Sequence, residues 1–265
     1  MIIDRFRYYF RKKDLLLVFI RKDLKSRYAG SYLGIFWSVL NPLLMLLTFT
    51  FVFSVILKIE FHAQQGILNY ALYVFCGMLP WLAIQESISR STSSLIENAS
   101  LVKQAHFPAS ILPTHLAIAG VINEFFGLLV LIIAVAVSSY HLSPHLLLLP
   151  LVILLQIIFT LGLCWFLAAL NVFFRDTVPF LNVGMMIWMF VTPIFYPSST
   201  YPPKLEFLLV FNPLAHLVDI YRELILNNHW PQTASLAGLA LMSVAVCGAG
   251  YFLFSRSQPR FNDLI

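Results

Sequence analysis

Hydrophobic and polar positions in this chain fall into long blocks. Tyr28–Leu57, Phe61–Gln85, Phe125–Phe174, Thr177–Pro203 and Leu224–Ser255 hold no Asp, Glu, Lys or Arg. A helix needs about 20 apolar residues to cross a hydrocarbon layer about 30 Å thick. Phe125–Phe174 is too long for one crossing, and "SSYHLSPHL" (Ser138–Leu146) divides it. The blocks predict six spans: Gly34–Leu57, Asn69–Ser89, Leu112–Val137, Leu146–Phe173, Val178–Tyr196 and Thr233–Phe254. Membrane barrel strands are shorter and alternate with period two, which these runs do not. The expected fold class is an all-α polytopic membrane protein, a single domain over residues 1–265.

Three polar interruptions carry the rest of the pattern. "DLLLVFIRKDLKSRY" (14–28) places Leu17, Ile20, Leu24 and Tyr28 on one helical face, with Arg21, Lys22, Lys25 and Ser26 off it. That suits an amphipathic helix lying in the membrane interface. "IENASLVKQAHFPASILP" (Ile96–Pro113) sets Glu97, Asn98, Lys103, Gln104 and His106 between two spans, and predicts a compact polar helix ending at Phe107-Pro108. Tyr196–Trp230 is too long for a turn and too interrupted for a through-crossing helix. Its prolines leave two short amphipathic pieces, Leu205–Phe211 and Leu214–Asn227, expected at the outer surface or dipping back into the bilayer beside protein.

Composition agrees with this reading. Residues are 60% hydrophobic and only 11% charged, with a mean hydropathy of +0.83, which excludes a soluble domain. The cations sort by side. Arg5, Arg7, Arg11, Lys12, Lys13, Arg21, Lys22, Lys25 and Arg27 precede the first span, and Arg90, Lys103, Arg175, Arg256 and Arg260 border later ones. The opposite loops hold Lys58, Lys204 and Arg222. An excess of Lys and Arg marks the cytoplasmic side, so both termini are expected there. The net charge of +5 then reflects topology and anionic lipid, and no nucleic-acid partner is expected. Cys76, Cys164 and Cys247 all lie within expected spans, without CxxC spacing, and indicate neither a disulfide framework nor a metal site.

Candidate chemistry is sparse. Gly30 and Gly34 have the GxxxG spacing that lets helices approach closely. Ser38, Asn41, Met45 and Thr48 share one face of the first span, and Glu86 and Arg90 are spaced to pair. Glu124 lies near the middle of the third span, where a bare carboxylate is costly; a functional role and a hydrogen-bonded or protonated structural role both stand at this point. Asp176 or Thr177 can cap the helix that contains Pro179 in its first turn. Asn182, Met185, Met189, Thr192 and Tyr196 recur at helical spacing and suit either an adaptable wall or ordinary packing. No GxxxxGK[ST], HExxH, GxSxG or GxGxxG occurs, so no catalytic residue, metal or cofactor is expected in the chain itself.

The order and spacing of four stretches resemble the ABC-2 type permeases that export bacterial polysaccharides. They are "RKDLKSRYAGSYLGIFWSVLNPLLMLL" (Arg21–Leu47), "ENASLVKQAHFPASILP" (Glu97–Pro113), "FFRD" (Phe173–Asp176) and "FNPLAHLVDIYRELI" (Phe211–Ile225). The resemblance implies a homodimeric pore with two copies of a separate ABC ATPase, ATP and Mg being bound by that partner. It implies a coupling helix over 97–110, with Glu97, Lys103, His106, Phe107 and Pro108, and a second ATPase contact through Arg21 and Arg27 of the 14–28 helix. It implies an outer gate over 197–230, with Asn212, Pro213 and Tyr221. The cargo implied is a lipid-linked glycan, O-antigen on undecaprenyl diphosphate, crossing the cell inner membrane. Aromatic rings suit sugar C–H faces and a lipid tail, so the channel candidates are Trp37, Asn41, Phe49, Tyr73, Trp81, Met185, Met189 and Tyr196. Capsular polysaccharide, teichoic acid or a hydrophobic drug are alternative cargoes. A membrane-embedded glycosyl or acyl transferase would need clustered acids or histidines, and a proton-coupled carrier several intramembrane charges.

Overall fold

The structure, a computed structural model, describes residues 13–27, 30–56, 68–104, 107–138 and 144–265. Regular structure among these residues is entirely helical. In chain order the α-helices are α1 (Lys13–Ser26), α2 (Trp37–Phe49), α3 (Leu68–Glu97), α4 (Ala99–Val102), α5 (Ile111–Val137), α6 (Leu149–Phe173), α7 (Thr177–Val191), α8 (Phe207–Val210), α9 (Pro213–Arg222), α10 (Thr233–Ser257) and α11 (Phe261–Leu264). A 3-10 turn (Gly34–Phe36) and a π segment (Thr50–Ile56) extend α2 at either end without a break.

Four stretches are long and apolar enough to cross a membrane: Tyr70–Glu97, Ile111–Val137, Pro144–Phe173 and Thr233–Arg260. Trp37–Val52 and Thr177–Val191 are shorter apolar helices, placed where the first and fifth spans are expected. α3 lies at the centre, packed on α5 and α6, with α10 covering α6 and α1 lying on α5. Buried residues of α3, α5, α6 and α9 form the main core. A second cluster, including Leu95, Trp165, Val172, Phe254 and Phe261, closes the end that carries Glu97.

Helix crossings are set by glycine where backbones touch. A Cβ on Gly250 of α10 would stand 2.0 Å from the Gly162 carbonyl oxygen of α6. Gly120 of α5 is held equally tightly against Ser87 and the Ala83 carbonyl of α3. Gly30 and Gly34 behave differently. They have φ of 82° and 50°, with open space where a Cβ would be, so they shape the turn into α2, and among the described residues of one chain neither packs against a second helix.

Other limits also move. α3 runs eight residues past the expected end at Ser89, to Glu97, with the hydroxyls of that stretch satisfied inside the helix. Thr92 Oγ1 donates to the Ile88 carbonyl at 2.8 Å and Ser94 Oγ to that of Ser91 at 2.7 Å. α7 stops at Val191, short of Tyr196. Pro193 disfavours helix at the residue before it, and Thr192 is extended at φ −81°, ψ 134°.

Of the two positions the sequence left open for α9, the structure shows the one beside protein: Leu214, Leu217, Val218, Ile220, Tyr221 and Arg222 are all buried, against α3, α6 and α10. Its Tyr221 reaches Glu124, at the middle of α5. A broken segment at that depth is tolerable because protein surrounds it.

Candidate functional site

The end carrying Glu97 is held by a four-charge network. Asp23 of α1 is buried, and its carboxylate accepts from Arg27 Nε at 3.0 Å and from Arg90 Nη1 at 3.1 Å, with a further close contact to Arg90 Nη2. Glu86 of α3 accepts from Arg27 and, at 3.4 Å, from Arg90. Asp23 of α1 and Arg27, which directly follows α1, are thus cross-linked to two residues of α3. Burial pushes the Asp23 carboxyl up, but the Arg90 and Arg27 guanidiniums outweigh it and hold it below the usual carboxylate range. The expected Glu86–Arg90 pair is present as the longest edge of this network.

Beside it opens a groove of about 450 Å³, lined by Lys22, Asp23, Arg90, Ser93, Glu97 and His115 among others. Of the polar helix expected over 97–110, the described residues show one turn, Ala99–Val102, following the end of α3 at Glu97. Pro108 disfavours helix in the residue before it, and Phe107 instead turns in to accept an aromatic neighbour. Its ring lies 6.0 Å from that of Phe19 on α1, and Pro108 is buried. Arg21, Glu97 and Lys103 are exposed, and Glu97 borders the groove. His106 and Tyr28 lie outside the described residues.

At the opposite end, α9 is tied into the loop after α7. Asn212 caps α9 by accepting from the Leu214 amide at 3.1 Å, while Trp188 Nε1 donates to it at 2.9 Å. Its amide nitrogen donates to Thr192 Oγ1 at 3.0 Å, and Pro213 follows at the first helical position. Arg222, 3% exposed, donates to the carbonyls of Pro193 and Ile194 at 2.7 Å each, and lies 3.5 Å over the Tyr73 ring. Those carbonyls are left free where α7 ends, so one guanidinium closes the break. Gly77 leaves the room: a Cβ there would stand 2.9 Å from Arg222 Nη2.

Between the two ends, Glu124, Gln156 and Tyr221 meet in the main core. Gln156 Nε2 lies 2.6 Å from Glu124 Oε2, and the Tyr221 hydroxyl lies 2.7 Å from Gln156 Oε1 and 3.0 Å from Glu124 Oε1. A cavity of about 150 Å³ reaches Glu124 from the α2 side, past Trp37, Asn41, Met45 and Asn123.

The expected channel residues divide. Trp37 and Asn41 line that cavity; Phe49, Tyr73, Met189 and Tyr196 are half-buried. Trp81 and Met185 sit inside the packed core at 1% and 3% exposure, with Trp81 edge-on to Trp188. α7 turns Phe180, Val183, Met186, Ile187 and Phe190 outward instead. Sequence reasoning missed Asp23, Gln156 and the burial of Arg222. Two had a signal: Asp23 stands four residues before Arg27, and Gln156 is a lone amide in a long apolar run.

The chain is similar along its length to proteins of one kind. It is 31% identical over 97% of both chains to the O-antigen export system permease protein RfbA of Myxococcus xanthus. It is 33% identical, over 95% of each, to a protein of the same name from Klebsiella pneumoniae. A more distant relative is the polysialic acid transport protein KpsM of Escherichia coli, at 22% identity over 92% of this chain and 93% of that one. The sequence pattern of ABC-2 type transporters covers residues 14–226, from α1 through α9, and with the helical membrane fold it places this chain in the ABC-2 type transporter family as a permease.

Proposed function

We propose that the chain is the membrane half of an ATP-driven exporter that moves a lipid-linked O-antigen, carried on undecaprenyl diphosphate, across the inner membrane. Two copies form the pore through six spans each, with both termini cytoplasmic. Two copies of a separate ABC ATPase bind ATP and Mg and dock below. The observation that carries this reading is the end-to-end similarity to O-antigen export permeases.

The geometry supports a division of labour. The ATPase engages the exposed Arg21, Glu97 and Lys103 near the anchor made by the half-buried Phe107 and the buried Pro108. Movement there passes to α3 through the Asp23–Arg27–Glu86–Arg90 network, because α1 and α3 are bound as one body at that end. α3 runs to the far end, where Tyr73 contacts Arg222 of α9. α8 and α9, with Asn212, Pro213 and Tyr221, then act as the outer gate. A capsular polysaccharide is the second reading, resting on the 22% identical relative.

The test is genetic and chemical together. Deleting the gene should leave lipid-linked O-antigen on the inner face and remove it from the cell surface. Unchanged O-antigen display alongside loss of a surface capsule would shift the assignment to the second reading.

A further inference from the structure

Glu124, Gln156 and Tyr221 make three close contacts, and each needs one hydrogen between its two heavy atoms. The amide nitrogen of Gln156 supplies one and the Tyr221 hydroxyl a second. The third has no source if Glu124 is ionised. As drawn, Gln156 donates to Glu124 Oε2 at 2.6 Å and Tyr221 donates to Gln156 Oε1 at 2.7 Å. Tyr221 then has no hydrogen left for Glu124 Oε1 at 3.0 Å, so that oxygen must donate.

Exchanging the nitrogen and oxygen of the Gln156 amide, which have nearly the same shape, leaves the count unchanged. Gln156 would then donate to Tyr221 and Tyr221 to Glu124 Oε1, and two oxygens would face each other at 2.6 Å unless Glu124 carried a proton. Water in the cavity beside α2 adds donors at free lone pairs, but places no hydrogen between these pairs. Among the described residues no Lys, Arg or His is ion-paired with Glu124.

We propose that Glu124 is a neutral carboxylic acid whose proton closes a ring with Gln156 and Tyr221, making it the positioning residue that pins α9 to α5 and α6. All three members are buried, at 5%, 0% and 0% exposure, and the closed ring carries no charge of its own. At this point α9 is held by neutral hydrogen bonds, separate from the charged contacts that Arg222 makes with the Pro193 and Ile194 carbonyls. The positioning role rests on the gate reading of α9, whereas the proton itself does not.

The experiment uses the permease–ATPase complex in nanodiscs. The infrared difference spectrum, wild type minus E124Q, should contain the carbonyl band of a protonated carboxyl group at neutral pH, displaced in Y221F. Carboxylate bands alone would overturn the proposal. Glutamine supplies the same donor and acceptor, so E124Q should export within about twofold of wild type, while E124A and Y221F, which break the ring, should lose about tenfold. A folded E124Q complex that loses export as E124A does, or a Y221F complex that exports normally, would overturn the positioning role. The infrared band is read whatever the cargo, so failure of the O-antigen assignment is distinguishable from failure of the ring.

Discussion

Replacing Asp23 by Asn removes one carboxylate from the junction between α1 and α3 without changing its shape. Asp23 is 6% exposed and Arg27 12%, so the loss leaves one guanidinium in a poorly hydrated place. Breaking a fully buried ion pair costs roughly 3–5 kcal/mol. Arg90 is 37% exposed and Glu86 remains beside both cations, so water and Glu86 recover part of that. The expected cost is about 2 kcal/mol, or about 4–8 °C in thermal unfolding of the nanodisc-embedded permease. Pairing the change with Arg90→Gln in a double-mutant cycle should show a coupling of about 1–2 kcal/mol.

The pH dependence has a definite sign. The folded Asp23 pKa is below its unfolded value, so its contribution is complete above the ordinary carboxylate range and is lost only as pH falls through the depressed folded value. The difference between wild type and D23N should therefore persist at pH 5. Additive effects of D23N and R90Q, or a difference already gone at pH 5, would refute a junction held by this network.

Three further outcomes follow from the same geometry. Gly250→Ala would press a Cβ to 2.0 Å from the backbone oxygen of Gly162, forcing α6 and α10 apart at a cost of about 1–3 kcal/mol, read as a lower unfolding temperature; Gly184→Ala, which meets nothing within 4 Å, is the control. Phe107→Ala or Pro108→Ala should weaken ATPase co-purification or uncouple hydrolysis from export while leaving membrane insertion intact, and normal export in both would reduce the segment to a plain connection. Single cysteines across Leu205–Asn227, in a chain lacking Cys76, Cys164 and Cys247, should react with a membrane-impermeant thiol reagent on one face only and in a nucleotide-dependent way; reaction only from the cytoplasm would overturn the six-span topology.

Much of this was legible in the sequence because a membrane imposes simple length and charge rules. The third and sixth spans are found within a few residues, since nothing in Leu112–Val137 or Thr233–Phe254 competes with helix. Boundaries failed where local chemistry intervened. Serine and threonine around Ser89 resemble a helix end, yet their hydroxyls satisfy themselves within the helix and α3 continues. Periodicity grouped Leu17, Ile20 and Leu24 on the apolar face of α1 but gave no sign that Asp23 turns inward, because Arg90, which it meets, lies 67 residues along the chain. Likewise, a pattern of methionines on α7 does not reveal which face meets the core. The burial of α9 was least accessible, because its anchors, Glu124, Gln156 and the carbonyls of Pro193 and Ile194, come from three separate parts of the chain.

The central claim is that this permease transports only as the passive half of an ATP-driven pair. The most direct measurement is glycan translocation into sealed vesicles, with lipid-linked O-antigen supplied on one face. The permease alone should neither hydrolyse ATP nor move glycan. With its ABC ATPase it should form a complex of two and two, and accumulate glycan inside only when ATP and Mg are present. Translocation by the permease alone, or at equal rate without ATP, would contradict the account.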